Sequence, residues 1–284
     1  MKNKYDKGMK IETSIIIPTH NRALFLKIAI DSAFAQTYRD FELIVVDDGS
    51  TDGTRGLMSS YGKNINYIYQ ANQGPAGARN TGIKNAKGRY LAFLDSDDSW
   101  KKEKLAIQTD ALQKNPEFLI SHTQEVWYRR GELLNQKKKH AKYHGPIFDK
   151  CLPLCAVGMS TVMAKKELFE KIGFFDEALP CCEDYDLWLR ASVKHPFLLI
   201  EKALTIKDGG RTDQVSRIYA VGMDKFRIKS LTNLLESRQE LTAQQRQSAL
   251  RELEKKCRVY GTGCLKHGKT QEGEFYLNLP KRFS

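Results

Sequence analysis

Short, uninterrupted apolar runs alternate with longer amphipathic stretches along the first half of this chain. Ser14-Ile-Ile-Ile-Pro18, Phe41-Glu-Leu-Ile-Val-Val46 and Tyr90-Leu-Ala-Phe-Leu94 carry apolar residues at consecutive positions. Such runs suit strands buried on both faces, as in a parallel sheet covered by helices on either side. The pattern predicts four strand–helix units across residues 11–115, with strands near 13–18, 41–47, 65–69 and 90–94. Asn21 is the expected cap of the first helix, and Gly62 and Gly88 mark turns from helix back to strand. From 117 to 165 the runs shorten around a basic loop. A short helix over 166–171 closed by Gly173, a helix over 183–193 and a strand over 197–206 follow. The expected fold class is α/β, a mostly parallel, Rossmann-like sheet flanked by helices.

Beyond Ser216 the chain reads as helical and charged. Thr242-x-x-Gln245 is a capping box, with Leu241 before it as a hydrophobic staple. Leu250, Leu253, Cys257, Tyr260 and Cys264 recur at steps of three and four, one apolar helix face. That spacing makes Cys257 and Cys264 buried thiols rather than ligands, on a face that packs on another helix or forms a homodimer contact. Residues 268–277 read as one more helix returning on it.

The candidate chemistry sits at strand ends. Tyr90-Leu-Ala-Phe-Leu-Asp95-Ser96-Asp97-Asp98 is an apolar strand running into crowded carboxylates. Such carboxylates repel one another unless a cation joins them. Mg²⁺ and Mn²⁺ take oxygen ligands, often one or two carboxylates plus substrate phosphates. Asp47-Asp48-Gly49 ends a second buried strand, and Gly74-Pro75-Ala-Gly77-Ala-Arg79 opens a helix after the third. In open α/β sheets ligands bind beyond the carboxyl ends of the strands, where Asp48 and Asp95–Asp98 would gather.

In chain order IIIPTHNR, VVDDGSTDGT, NQGPAGARNTG, FLDSDD and Glu183-Asp184-Tyr185-Asp186-Leu187-Trp188 closely resemble glycosyltransferase family 2. The resemblance covers residues 11–215 and implies an inverting, nucleotide-sugar-dependent enzyme with a GT-A fold. It divides the chain into a GT-A domain, 1–215, and a helical C-terminal extension, 216–284. By resemblance Asp48 accepts the N3–H of a uracil base, a role suited to an acceptor-only carboxylate. Asp47 is the structural member of that pair. Pro18, Thr19 and His20 form a wall beside the base, and Arg22 is either a donor contact or a surface residue. Gly74 and Arg79 lie where the family contacts the nucleotide, though Arg79 has a second reading as a salt-bridge partner of Asp48 or Asp95. Asp95 and Ser96 join the donor contacts, Asp97 is the direct metal ligand for Mn²⁺ or Mg²⁺, and Asp98 is a third acid. Asp184 matches the family's catalytic base. Trp188, a helical turn on, stacks on a sugar or packs in the core.

Lys207-Asp-Gly209-Gly210-Arg211-Thr-Asp-Gln-Val-Ser-Arg217 looks like a mobile loop over the diphosphate. It lacks the histidine that many related enzymes carry there as a metal ligand, which leaves a third protein ligand open. Lys207, Arg211 or Arg217 would supply charge to the phosphates directly.

Composition narrows the setting. No apolar run approaches the roughly 18–20 residues that span a bilayer, and no signal-peptide pattern follows the basic N-terminus. The expectation is a cytoplasmic enzyme with reduced cysteines, peripheral on the inner face of the plasma membrane. Cys151-x3-Cys155 and Cys181-Cys182 lack the usual zinc spacing. The net charge of +12 reads as a solvated basic surface or as attraction to anionic lipid or a lipid-diphosphate acceptor. Nucleic acid is not expected, because no such motif accompanies the charge. The expected partners are thus a UDP-sugar donor, a glycan or lipid-linked acceptor and an anionic membrane surface, with cell-surface glycan synthesis as the setting. A nucleotidyltransferase making a sugar nucleotide, or a non-catalytic carbohydrate- or membrane-binding module, is the alternative. The early PTHNR and late Glu-Asp motifs weigh against the first, and the retained Asp48, Asp97 and Asp184 against the second.

Overall fold

The computed structural model describes residues 11–129, 131–211, 214–237 and 240–283. Among them, nine strands form one sheet: β1 (Thr13–Thr19), β2 (Phe41–Asp48), β3 (Asn66–Gln70), β4 (Tyr90–Phe93), β5 (Asp98–Trp100), β6 (Ile120–Arg129), β7 (Glu132–Leu134), β8 (Met163–Lys165) and β9 (Phe197–Gly209). The helices are α1 (Ala23–Phe34), α2 (Thr54–Tyr61), α3 (Gly74–Asn85), α4 (Lys104–Lys114), α5 (Phe148–Cys151), α6 (Glu167–Ile172), α7 (Glu183–Ser192), α8 (Val215–Ile218), α9 (Asp224–Glu236), α10 (Ala243–Lys266) and α11 (Thr270–Asn278).

The strand order is β3-β2-β1-β4-β8-β6-β9-β5, with β7 paired to β6. The β3-to-β4 half is parallel, as the apolar runs predict; β8 then runs antiparallel to both neighbours, and β6 and β9 are parallel to each other. Register explains why the central runs are apolar throughout. Ile16 lies opposite Ile44 and Phe93 and faces the core shared with α3, α7 and α9. Its neighbour Ile15 lies opposite Leu43 and Ala92 and faces the core under α1, α2 and α4. Each fully buried isoleucine contributes about 1.5–3 kcal/mol. α3 packs close enough to the sheet that a Cβ on Gly82 would lie 2.4 Å from Ile16 Cγ2.

The first helix starts differently from expectation. Asn21 is not its cap: it adopts a left-handed φ of 52°, and its Oδ1 accepts the Thr51 N–H at 2.7 Å. The cap is supplied from the loop after β2, where Asp52 Oδ2 accepts the Ala23 N–H at 3.0 Å. That loop is therefore tied to the turn after β1, which fixes two strand ends relative to each other.

β9 runs to Gly209, past the expected end at 206, because it pairs with β6 and β5 along its length. Lys207 accordingly sits opposite Asp98 in a strand rather than in a loop. Residues 215–217 of the expected mobile segment belong to α8, and Thr212 and Asp213 lie outside the described residues.

The capping box of α10 is formed: Thr242 Oγ1 accepts the Gln245 N–H at 3.1 Å, and Gln245 Oε1 accepts the Thr242 N–H at 3.0 Å. Gln245 also donates to the Val193 carbonyl, docking α10 behind α7. Leu253 and Cys257 join the core of the sheet, and Cys264 is also buried, so the apolar stripe is used within the chain. α11 returns on α10 where Gly261 and Gly273 meet; a Cβ on either would lie 2.9 Å from the other's carbonyl oxygen. Among the described residues no helix is long and apolar enough to cross a membrane. All six cysteines are free.

Candidate functional site

The carboxyl ends of β1, β2 and β4, the start of α7, the β6–β7 hairpin and the segment after β9 enclose a cavity of about 1210 Å³. Pro18, Thr19, His20, Arg22, Asp48, Gly74, Arg79, Asp95, Ser96, Asp97 and Asp184 all line it. The topology gathers them because parallel strands expose their carboxyl ends on one edge.

At one end Asp48 closes β2. Its Oδ1 accepts Gln70 Nε2–H at 2.7 Å and the Gln73 N–H at 2.9 Å. Among the described residues Oδ2 has no partner. His20 donates from Nδ1 to the Asp48 carbonyl at 2.8 Å, which packs the turn after β1 against the same corner. Asp47 points away: its carboxylate accepts Tyr67 Oη–H at 2.7 Å and the Ser50 N–H at 2.8 Å, so it is the structural member. Gly74 opens α3 with φ 77°, a conformation that suits glycine.

The middle of the cavity holds the charges. Asp97 Oδ2 lies 3.1 Å from Arg22, is paired with Arg211, and accepts Gln214 Nε2–H at 3.3 Å. The Arg211 guanidinium also stacks over the Phe25 ring, 4.2 Å from its centroid. Asp98 turns the other way: Ser160 donates to it at 2.6 Å and Lys207 lies 3.6 Å off. Burial pushes the Asp98 carboxyl up to about 8, with Asp95 and Asp97 adding to the rise and Lys207 opposing it. Lys207 shares its surroundings with a buried Glu125–Lys142 pair at 3.0 Å. Gly158 permits that crowding, since a Cβ there would lie 2.9 Å from Glu125 Oε2 and 3.7 Å from Lys207 Nζ.

Arg79 is buried and bridges two acids, Asp95 at 2.7 Å and Glu183. It does not reach Asp48, so of the two salt bridges expected for it the one to Asp95 is formed. Burial works against the guanidinium charge, but Asp95 and Glu183 outweigh it, and Arg79 stays charged. The same guanidinium holds the Asp95 carboxyl below its usual range in spite of burial. Arg79 thereby ties the end of β4 to the first turn of α7.

That turn sorts three acids by direction. Glu183 faces Arg79, Asp184 faces the cavity, and Asp186 accepts Arg190 Nε–H at 2.8 Å beneath the surface. Acids in a first helical turn are stabilised by the helix dipole. Asp184 Oδ2 lies 3.2 Å from the Cys155 sulfur. Trp188 is buried in the core, edge-on to Phe197, and offers no platform for a sugar.

Gln70, Gln73, Ser160, Glu125 and Lys142 were not singled out from the sequence, and Glu183 and Cys155 were noted there without these roles. Gln70 closes β3 and Gln73 follows it, so the strand-end rule applied to that strand would have found them. Ser160, Cys155, Glu125 and Lys142 carry no local signal.

A family model described as Glycosyl transferase family 2 matches residues 14–173. An uncharacterized glycosyltransferase of Rickettsia felis is 37% identical over 223 residues, covering 75% of this chain and 36% of that protein. The chain thus spans about a third of that relative's length. The Escherichia coli UDP-Glc:alpha-D-GlcNAc-diphosphoundecaprenol beta-1,3-glucosyltransferase WfgD is 35% identical over 183 residues, 62% of this chain and 68% of WfgD. Among solved structures, S. aureus TarS in complex with UDP-GlcNAc superposes with a TM-score of 0.72 at 21% identity. That match covers 95% of this chain and 79% of the TarS chain, and shows that the two share a fold.

Proposed function

The chain belongs to glycosyltransferase family 2, and from that premise we propose that it moves a sugar from a UDP-sugar donor to an acceptor hydroxyl with inversion. The observation behind this reading is that Asp48, Asp97 and Asp184 face one cavity from three elements. The acceptor is a glycan or a lipid-linked saccharide, and the setting is cell-surface glycan synthesis. WfgD and its diphosphoundecaprenol-linked acceptor, together with the UDP-GlcNAc held by TarS, support that choice of substrate classes.

Asp48 selects the base. With Oδ1 held by Gln70 and Gln73, Oδ2 is the acceptor for the uracil N3–H. Pro18, Thr19 and His20 flank the base, and Gly74 lets the backbone come close to the nucleotide. Arg22, Arg211 and Lys207 carry positive charge to the diphosphate, and Arg79 keeps Asp95 in place for the ribose.

Asp97 presents a hard oxygen ligand, though among the described residues no group of three acidic, histidine or cysteine side chains is placed to hold an ion. A Mn²⁺ or Mg²⁺ bound with the donor would be held from the protein by Asp97. Such an ion would supply charge neutralisation to the departing diphosphate.

Asp184 accepts the acceptor's hydroxyl proton as that oxygen bonds to the anomeric carbon from the face opposite the diphosphate. The bond from the anomeric carbon to the phosphate oxygen breaks, and UDP leaves with the electron pair. The test is product analysis with UDP-sugars. UDP release by transfer or slow hydrolysis supports the reading; pyrophosphate exchange would mark a nucleotidyltransferase, and neither product a binding module.

A further inference from the structure

Two elements at the cavity mouth expose apolar side chains that no core explains. On β7, Leu133 is 63% and Leu134 42% exposed. At and after α8, Ile218 is 63% and Val221 96% exposed. Both elements border the same opening: Leu134 and Ile218 line the cavity, and Arg129, beside β7, lies where a Cβ on Gly210 would come within 2.8 Å of it. Basic side chains surround this apolar rim. Arg129, Lys137, Lys138, Lys139 and Arg217 are exposed there, against the exposed acids Glu132 and Asp208.

Isolated exposed apolar residues are ordinary, but a group of them ringed by cations at one opening marks an interaction surface. Apolar side chains that enter the acyl boundary, with Lys and Arg above them, are the pattern of a peripheral membrane contact. We propose that the β7 strand and the turn after α8 dock the cavity mouth onto an anionic lipid bilayer. The rim then holds the opening at the headgroup level, where a lipid-linked acceptor presents its sugar. The proposal rests on the reading of the cavity as the transfer site. Vesicle binding is measured without catalysis, so the two readings fail separately.

The experiment is cosedimentation of the full chain with phosphatidylglycerol–phosphatidylcholine vesicles and with pure phosphatidylcholine vesicles. Leu133→Ser/Val221→Ser leaves the net charge unchanged and touches residues outside the cavity lining. Lys137→Gln/Lys138→Gln/Lys139→Gln removes charge and leaves the apolar tips. The expected result is binding to the anionic vesicles at low salt. The partition coefficient should fall roughly tenfold in the apolar pair. In the lysine triple it should fall by a similar factor, with weaker salt dependence. Unchanged UDP affinity in both variants shows that the fold is intact. Absence of wild-type binding to the anionic vesicles, equal binding to pure phosphatidylcholine, or full binding by either variant would overturn the proposal.

Discussion

The Cys155 sulfur lies 3.2 Å from Asp184 Oδ2 and 3.2 Å from the Val157 carbonyl oxygen. One S–H proton therefore faces two acceptors. The charged carboxylate is the stronger one, so the thiol aims Asp184 into the cavity. A protonated Asp184 would leave the thiol to turn to Val157. Burial and the nearby Asp184 charge push the Cys155 thiol well up, so it remains a donor rather than a thiolate.

Replacing Cys155 tests that arrangement. Cys155→Ser keeps a donor and should retain transfer within about threefold. Cys155→Val loses a hydrogen bond to a charged group, about 1.5–3 kcal/mol, and should slow transfer about tenfold or more. Steady-state kinetics with unchanged UDP affinity is the check; equal rates in the two variants would remove any role for the thiol.

Asp184→Asn should leave UDP and Mn²⁺ binding nearly intact while lowering transfer on the order of 10²–10⁴-fold. Retained donor affinity and melting temperature must accompany the loss. Asp186→Asn is the contrasting variant: Asp186 is buried against Arg190, so its loss should lower the melting temperature more than the rate per folded molecule.

Asp48→Ala should weaken UDP binding by about 1.5–3 kcal/mol and erase preference for uracil over guanine nucleotides. Calorimetry with UDP and GDP reads both. Equal affinity of the unaltered chain for the two nucleotides would end the assignment of Asp48 to the base.

UDP should bind more tightly with Mn²⁺ than with chelator, and Asp97→Ala should abolish the difference. A persisting metal-dependent gain in the variant would show that Asp97 is not the ligand.

His122 sets an acid limit on stability. It is fully buried, and burial lowers its imidazole from 6.5 to about 4 in the folded state. The unfolded chain therefore binds the extra proton first. The stability tied to His122 is complete above about pH 6.5 and is lost as pH falls toward 4, a swing of about 3 kcal/mol. Urea unfolding of the chain and of His122→Gln across that window should show the difference between them shrinking as pH falls. A constant difference would refute the linkage.

The strands of the parallel half were legible because a strand buried on both faces must be apolar at every position, as Ile15, Ile16 and Ile17 are. Asp48, Asp95 and Asp97 were legible for a related reason: acids directly after such runs have to fall on the sheet's open edge. Partnerships across the chain were not. Glu183 and Arg79 are 104 residues apart, and nothing near either marks the other. Strand β5 was missed because Asp98 reads as the end of an acidic turn, whereas its pairing with Lys207 on β9 recruits it into the sheet.

The cap that Asp52 gives to α1 comes 29 residues after the helix begins. During synthesis α1 therefore emerges without its start signal, and the signal arrives only once β2 and its loop have followed. A short helix lacking both cap and tertiary partner is marginal in water. The first strand–helix unit and the second thus consolidate together rather than in succession. A fragment ending before Asp52 should show little of α1 by circular dichroism, while one extending through α2 gains it.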